Sequence, residues 1–122
     1  MGKKILIAED DKDSLFILNM ILNEAGFTVE PLPEGTSIVD RKSDWPDLFI
    51  LDKNLSNIDG ITLGKYLRLR EETKNIPIIM ISSYHKLKKK AKDAGINDFI
   101  EKPFYVKDLL QTVAKYVHLE EN

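Results

Sequence analysis

Four short stretches of the chain are apolar at consecutive positions: Ile5 to Ala8, Leu48 to Leu51, Ile78 to Ile81 and, more weakly, Asp98 to Glu101. Runs of this kind, rich in β-branched residues and not alternating with polar ones, predict central strands of a parallel sheet covered on both sides. A fifth stretch, Thr28 to Glu30, is shorter and suits an outer strand. The intervening segments change period. Leu15, Leu18, Ile21, Leu22 and Ala25 recur at helical spacing, with Gly26 placed to stop the helix. Leu63, Tyr66, Leu67 and Arg70 form a second stripe, opened by Asp59 and Gly60, and Leu87, Ala91 and Ala94 a third, closed by Gly95. Val106, Leu109, Leu110, Val113 and Val117 form the clearest one, while Thr36 to Ser43 predicts only a faint helix with few apolar positions. Pro77 stands just before Ile78, a strand start where its missing N–H does least harm. Strand and helix thus alternate five times, which predicts an α/β fold: a doubly wound parallel sheet, helices on both faces and right-handed crossovers.

At 122 residues the chain has room for one domain, taken here as residues 1–122. A hydrophobic fraction of 43% with 31% charged residues excludes disorder. The 18 basic and 20 acidic side chains nearly balance, so no overall field advertises nucleic acid or an anionic membrane. The absence of cysteine excludes disulfides, zinc–thiolate sites and thiol nucleophiles. The opening MGKKILIAEDD is cut by acid too early for a signal sequence, and no apolar run approaches the roughly 20 residues of a membrane-spanning helix. A cytoplasmic protein is expected.

Composition leaves one oddity, the three carboxylates Glu9, Asp10 and Asp11 at the end of the first apolar run. Like charges in contact repel by about 1 kcal/mol per pair in water and by more in a drier site. The residues at the ends of the other central runs suggest the compensation: Asp52 after the second, Ser82 after the third, Lys102 and Pro103 after the last. Parallel strands end at one sheet edge, and ligands of such folds bind beyond those carboxyl ends. Glu9, Asp10 and Asp52, with nearby carbonyl oxygens, offer an all-oxygen site suited to magnesium. Adding a lysine and a hydroxyl makes a place to hold a phosphoryl group, with Asp52 as the nucleophile.

The segments IAEDD, FILDKNLSNIDG, IIMISS and FIEKPF together resemble the receiver domain of two-component response regulators, of the chemotaxis-regulator kind, over nearly the whole chain. The resemblance implies a flavodoxin-like five-stranded sheet of order 2-1-3-4-5. It implies that Asp52 accepts phosphate from a histidine kinase or histidine phosphotransfer protein, and that Glu9, Asp10, Asp52 and the backbone carbonyl of Asn54 hold Mg2+, for which Mn2+ can substitute. Ser82 matches the hydroxyl that contacts the phosphate, Lys102 the lysine that binds its oxygens, and Phe99 the switch aromatic; a cis peptide is implied before Pro103. Asn54 and Tyr84, flanking the path of attacking water, are expected to set the phosphoryl lifetime. The implied output is a shift of the face formed by the fourth helix, fifth strand and fifth helix, read by a downstream protein, an output domain or a second phosphorylated copy. Such a domain is no enzyme beyond catalysing its own phosphorylation and dephosphorylation. The chain stops just after the fifth helix, which suits either a protein acting alone or an excised input domain.

Three departures from the family pattern stand out. Ser56 occupies a position where proline is usual, which predicts a looser turn; the stretch from Ser82 to Gly95 is about two residues short; and the region from Gly35 to Trp45 is short as well. A haloacid-dehalogenase-type phosphohydrolase fits less well, because Asn54 replaces its second acid. A flavodoxin fits less well too, since EDD is hostile to phosphate without metal. Asp11 is expected as an N-cap, HKLKKKAK as a solvated helix face, and His85 and His118 as surface residues.

Overall fold

A computed structural model describes residues 3–118. The chain alternates strand and helix throughout: β1 (Lys4–Ala8), α1 (Lys12–Glu24), β2 (Thr28–Leu32), α2 (Thr36–Val39), β3 (Leu48–Asp52), α3 (Gly60–Leu69), β4 (Ile78–Ser82), α4 (Lys88–Asp93), β5 (Asp98–Glu101) and α5 (Val106–Ala114), with a 3-10 turn over His85–Leu87. All strand pairs are parallel and the order is β2-β1-β3-β4-β5, as the sequence pattern and the family resemblance led us to expect.

The apolar runs have a hidden period of two. Leu6, Ala8, Phe49, Leu51, Ile78 and Met80 point to a core shared with Ile38 of α2, Ile61, Leu63 and Leu67 of α3, and Ala91 of α4. Their neighbours Ile5, Ile7, Leu48, Ile50, Ile79 and Ile81 pack on Leu18 and Leu22 of α1 and Leu109 and Val113 of α5. Because both faces are covered, every residue of β3 and β4 is buried and no alternation shows in the sequence.

Several boundaries differ from the sequence expectation. The second outer strand runs on to Leu32 and includes Pro31, tolerated because β2 is an edge strand. The faint helix expected over Thr36 to Ser43 ends at Val39, since only Ile38 is buried and nothing further holds it down. Arg70 leaves the predicted apolar stripe: it is the extended C-cap of α3, its guanidinium lying over the rings of Trp45 and Tyr66. Leu87 and Ala94 flank α4 rather than lie inside it, and Val117 is buried beyond the end of α5. Among the described residues no helix is long and apolar enough to cross a membrane.

Candidate functional site

Four of the five strands, β1, β3, β4 and β5, deliver a polar group to the same edge. Asp52 and Ser82 are the last residues of β3 and β4, and Glu9 follows β1; all three are buried, Asp52 at 7% exposure and Glu9 and Ser82 at 1%. The backbone holds them there. The Glu9 N–H donates to the Leu32 carbonyl, the Lys53 N–H to the Ile81 carbonyl and the Lys102 N–H to the Ser82 carbonyl, extending the parallel ladders past the strand ends. Asp11 caps α1, accepting from the Ser14 N–H at 2.9 Å, and its own N–H donates to Glu9 at 3.1 Å. Asp59 caps α3 by accepting from the Ile61 and Thr62 amides and pairs with Lys53 at 2.6 Å, which fixes the loop after β3.

The expected acids converge. Glu9, Asp10 and Asp52 each present an oxygen within 4.8 Å of the others. Lys102 lies between two of them, its Nζ 2.8 Å from Glu9 Oε1 and 3.0 Å from Asp52 Oδ2. The peptide joining Lys102 to Pro103 is cis. The second Asp52 oxygen accepts from the Asn54 N–H at 3.0 Å. Ser82 Oγ accepts from the Tyr84 N–H at 3.1 Å, so its hydroxyl is tied to the loop after β4. Asn54 and Tyr84 are exposed, and Phe99 is half-buried on β5.

Electrostatics separates the two buried acids. Burial first, then the neighbouring Asp52 carboxylate, push the Glu9 carboxyl up to about 7. Burial works on Asp52 in the same direction, but its hydrogen bonds with Glu9, the Asn54 amide and Lys102 outweigh it and hold Asp52 below the usual carboxylate range. Lys102 is raised because the two carboxylates overcome the effect of its burial. Asp52 is therefore the carboxylate of the pair held in its ionised form, already facing a cation. Three carboxylates against one ammonium leave the cluster formally two charges short of neutral when all are ionised. A donor set made only of hard oxygens fits a divalent ion such as magnesium.

One contact escaped the sequence reading. Ser56, expected only to loosen the turn, donates its hydroxyl to Asp10 Oδ2 at 2.7 Å. Nothing local signals this bond, because its partners lie 46 residues apart. His85 and His118 are exposed, with His85 3.7 Å from Glu101 at its nearest acid.

The chain is similar to known proteins. The family model of the response regulator receiver domain matches residues 5–114. Sporulation initiation phosphotransferase F of Bacillus subtilis is 30% identical, over 100% of this chain and 99% of its own length. Other curated relatives are longer; the chain spans about half the length of several, for example 51% at 28% identity. Among solved structures, one described as a response regulator from Chloroflexus aurantiacus J-10-fl superposes with a TM-score of 0.90 at 31% identity, covering 95% of this chain and 98% of that one. The receiver domain of the sensor histidine kinase PA1611 from Pseudomonas aeruginosa, which holds a magnesium ion in its active-site cleft, shares the fold with a TM-score of 0.85 at 24% identity over 95% of this chain and 98% of that one. The strand order, the acidic edge and these similarities agree: the chain belongs to the response regulator receiver domain family of two-component systems.

Proposed function

We propose that residues 1–122 form a single receiver domain in which Asp52 accepts a phosphoryl group from the phosphohistidine of a kinase or phosphotransfer protein. The observation that carries this reading is the meeting, from three strand ends, of Glu9, Asp10 and Asp52 within 4.8 Å of one another, with Lys102 bonded to Glu9 and Asp52. Asp52 attacks phosphorus with a carboxylate oxygen; the P–N bond breaks and its electron pair returns to the imidazole of the donor. Lys102, already 3.0 Å from Asp52, compensates charge on the phosphoryl oxygens, so little reorganisation accompanies transfer. Glu9, Asp10, Asp52 and the Asn54 carbonyl would hold magnesium, which when bound supplies positive charge to the phosphoryl oxygens. Manganese, of the same hard-oxygen preference, substitutes for it.

The new phosphoryl oxygens accept the O–H of Ser82 and so draw toward them a hydroxyl whose oxygen otherwise accepts from the Tyr84 amide. Moving Ser82 reshapes the space beside Phe99, which lies on the adjacent strand in register with Met80. The face of α4, β5 and α5 thereby has two arrangements, and a downstream protein, output domain or second copy that prefers one of them completes the signal. Asn54 and Tyr84, exposed residues whose backbone amides bond Asp52 and Ser82, govern the approach of hydrolytic water and so the lifetime of the acyl phosphate. The domain acts on no substrate other than its own phosphoryl group.

Incubation with acetyl phosphate and magnesium, read by intact mass, tests this directly. Wild-type protein gains one phosphoryl group, and both the chelator EDTA and the Asp52→Asn substitution abolish the gain. Equal labelling of the Asp52→Asn protein would overturn the assignment.

A further inference from the structure

Gly35 is buried in the turn between β2 and α2, where glycine is an odd choice. Its backbone, with φ −100° and ψ −17°, suits any residue, so no left-handed conformation calls for it. Nor does the start of α2 need it, because the Glu34 carboxylate accepts from the Ser37 amide at 3.1 Å. A glycine that serves neither purpose only loosens the unfolded chain and lowers stability. What it provides is room. A Cβ at position 35 would lie 2.7 Å from Ile58 Cγ2, 3.0 Å from Leu55 Cδ1 and 3.2 Å from Leu63 Cδ2.

Leu55 and Ile58 belong to the loop between β3 and α3, which carries two groups of the proposed ion site. The Asn54 carbonyl comes one residue before Leu55, and the Ser56 hydroxyl, one residue after it, donates to Asp10 at 2.7 Å. From Lys53 to Asp59 the loop has no proline, so contacts alone fix its dihedrals. Its ends are tied by the Asn54 amide donating to Asp52 at 3.0 Å and the Gly60 amide donating to the Lys53 carbonyl at 2.8 Å. Between them Leu55 is the one buried residue, and Ile58 packs beside it in the core shared with Ile38 and Leu63. We propose that Gly35 is a positioning residue for the phosphoacceptor site: the β2–α2 turn comes close enough to seat Leu55 and Ile58, and these side chains hold Asn54 and Ser56 against the acids. At the end of β2 the Leu32 carbonyl accepts from the Glu9 amide at 3.0 Å. One short segment, Leu32 to Gly35, thus braces Glu9 on one side and the loop of Asn54 and Ser56 on the other. Any side chain at 35 pushes on Ile58, whose branched Cγ2 cannot turn away alone, and the displaced loop draws Ser56 off Asp10. The inference rests on the proposed function, since it concerns residues that would hold magnesium.

The test follows three quantities in the full chain: magnesium affinity by titration, the denaturant midpoint of the metal-free protein, and Asp52 labelling by acetyl phosphate. Gly35→Ala is expected to weaken magnesium binding about tenfold. Gly35→Ser, which adds a favoured helix cap with the same Cβ, weakens it equally. Ile58→Ala releases the loop from the turn and also weakens binding. In the double variant Gly35→Ala, Ile58→Ala the added methyl has room, so affinity stays within about threefold of Ile58→Ala alone. Where Gly35→Ala by itself does not fold, the double variant restores folding. Losses that multiply, a double variant no better folded than Gly35→Ala, or a lowered midpoint of Gly35→Ala with unchanged magnesium affinity would each overturn the inference; wild-type labelling of Asp52 then leaves the phosphoacceptor reading intact. Coupled losses of magnesium affinity in a protein that never labels Asp52 support the positioning role and defeat that reading instead.

Discussion

At the scale of single residues, the acid cluster works by unequal treatment of similar groups. Glu9 and Asp52 are both carboxylates beside one lysine, yet burial leaves Glu9 near 7 while three hydrogen-bond partners keep Asp52 ionised. The Glu9 and Asp52 positions were legible in the sequence because a polar residue at the end of a buried strand has only the sheet edge to occupy. The support for Asp10 was not. Ser56 holds one Asp10 oxygen, and removing that hydroxyl frees the most open carboxylate of the set to turn toward water. Ser56→Ala is therefore expected to weaken magnesium binding by about tenfold with the fold unchanged, as loss of a partner of a metal ligand commonly does. Magnesium titration followed by amide NMR measures both quantities at once, and unchanged affinity would show that the bond positions nothing.

At the scale of elements, the site depends on how closely α3 is seated on β3. A Cβ added at Gly60 would lie 2.4 Å from the Asp52 carbonyl oxygen and 2.9 Å from Lys53 Cα, both backbone atoms that cannot swing aside. Gly60→Ala should destabilise the protein by about 1–3 kcal/mol and slow labelling of Asp52, since the strain falls on the loop that aims it. Gly64→Ala makes a control within the same helix. Its Cβ would meet only the Ile96 side chain, at 3.0 Å, and alanine is the better helix former. Denaturant midpoints should therefore fall clearly for Gly60→Ala and little for Gly64→Ala; equal losses would contradict this account. The elements least legible in the sequence, α2 and α4, are also the shortest. Each buries one residue, Ile38 or Ala91, so local pattern could not say where they begin or end.

At the scale of the whole molecule, charge is balanced in sum and uneven in place, with acids at the strand ends, lysines on α4, and a bridge on the opposite edge. There Glu30 of β2 binds Arg41 through two bonds of 2.7 and 2.8 Å and Lys4 of β1 at 2.9 Å. The bonds from Arg41, opposed by burial and reinforced by Lys4, lower the Glu30 carboxyl to about 2. A depressed acid contributes stability that is fully present above its unfolded value near 4.5 and is lost as pH falls toward 2. The difference in unfolding free energy between wild type and Glu30→Gln should shrink by about 1–2 kcal/mol over that window, after allowance for screening of this partly exposed pair. Urea denaturation at pH 6 and pH 3 measures it, and a difference independent of pH would remove Glu30 from the acid sensitivity of the fold.

The order of strand and helix, the parallel sheet and the identity of the acidic edge were properties of the sequence itself. Runs of buried β-branched residues and helical stripes act over a few neighbours, and a strand's last residue is fixed by where its apolar run stops. Tertiary structure alone decided which alternate residues of each run meet α1 and α5 and which meet α2, α3 and α4. It decided that Ser56 reaches Asp10, that Lys102 lies between Glu9 and Asp52, and that Leu55 and Ile58 close over Gly35. These are contacts between residues far apart in the chain, and their energies depend on burial and distance that exist only once the sheet has closed around them.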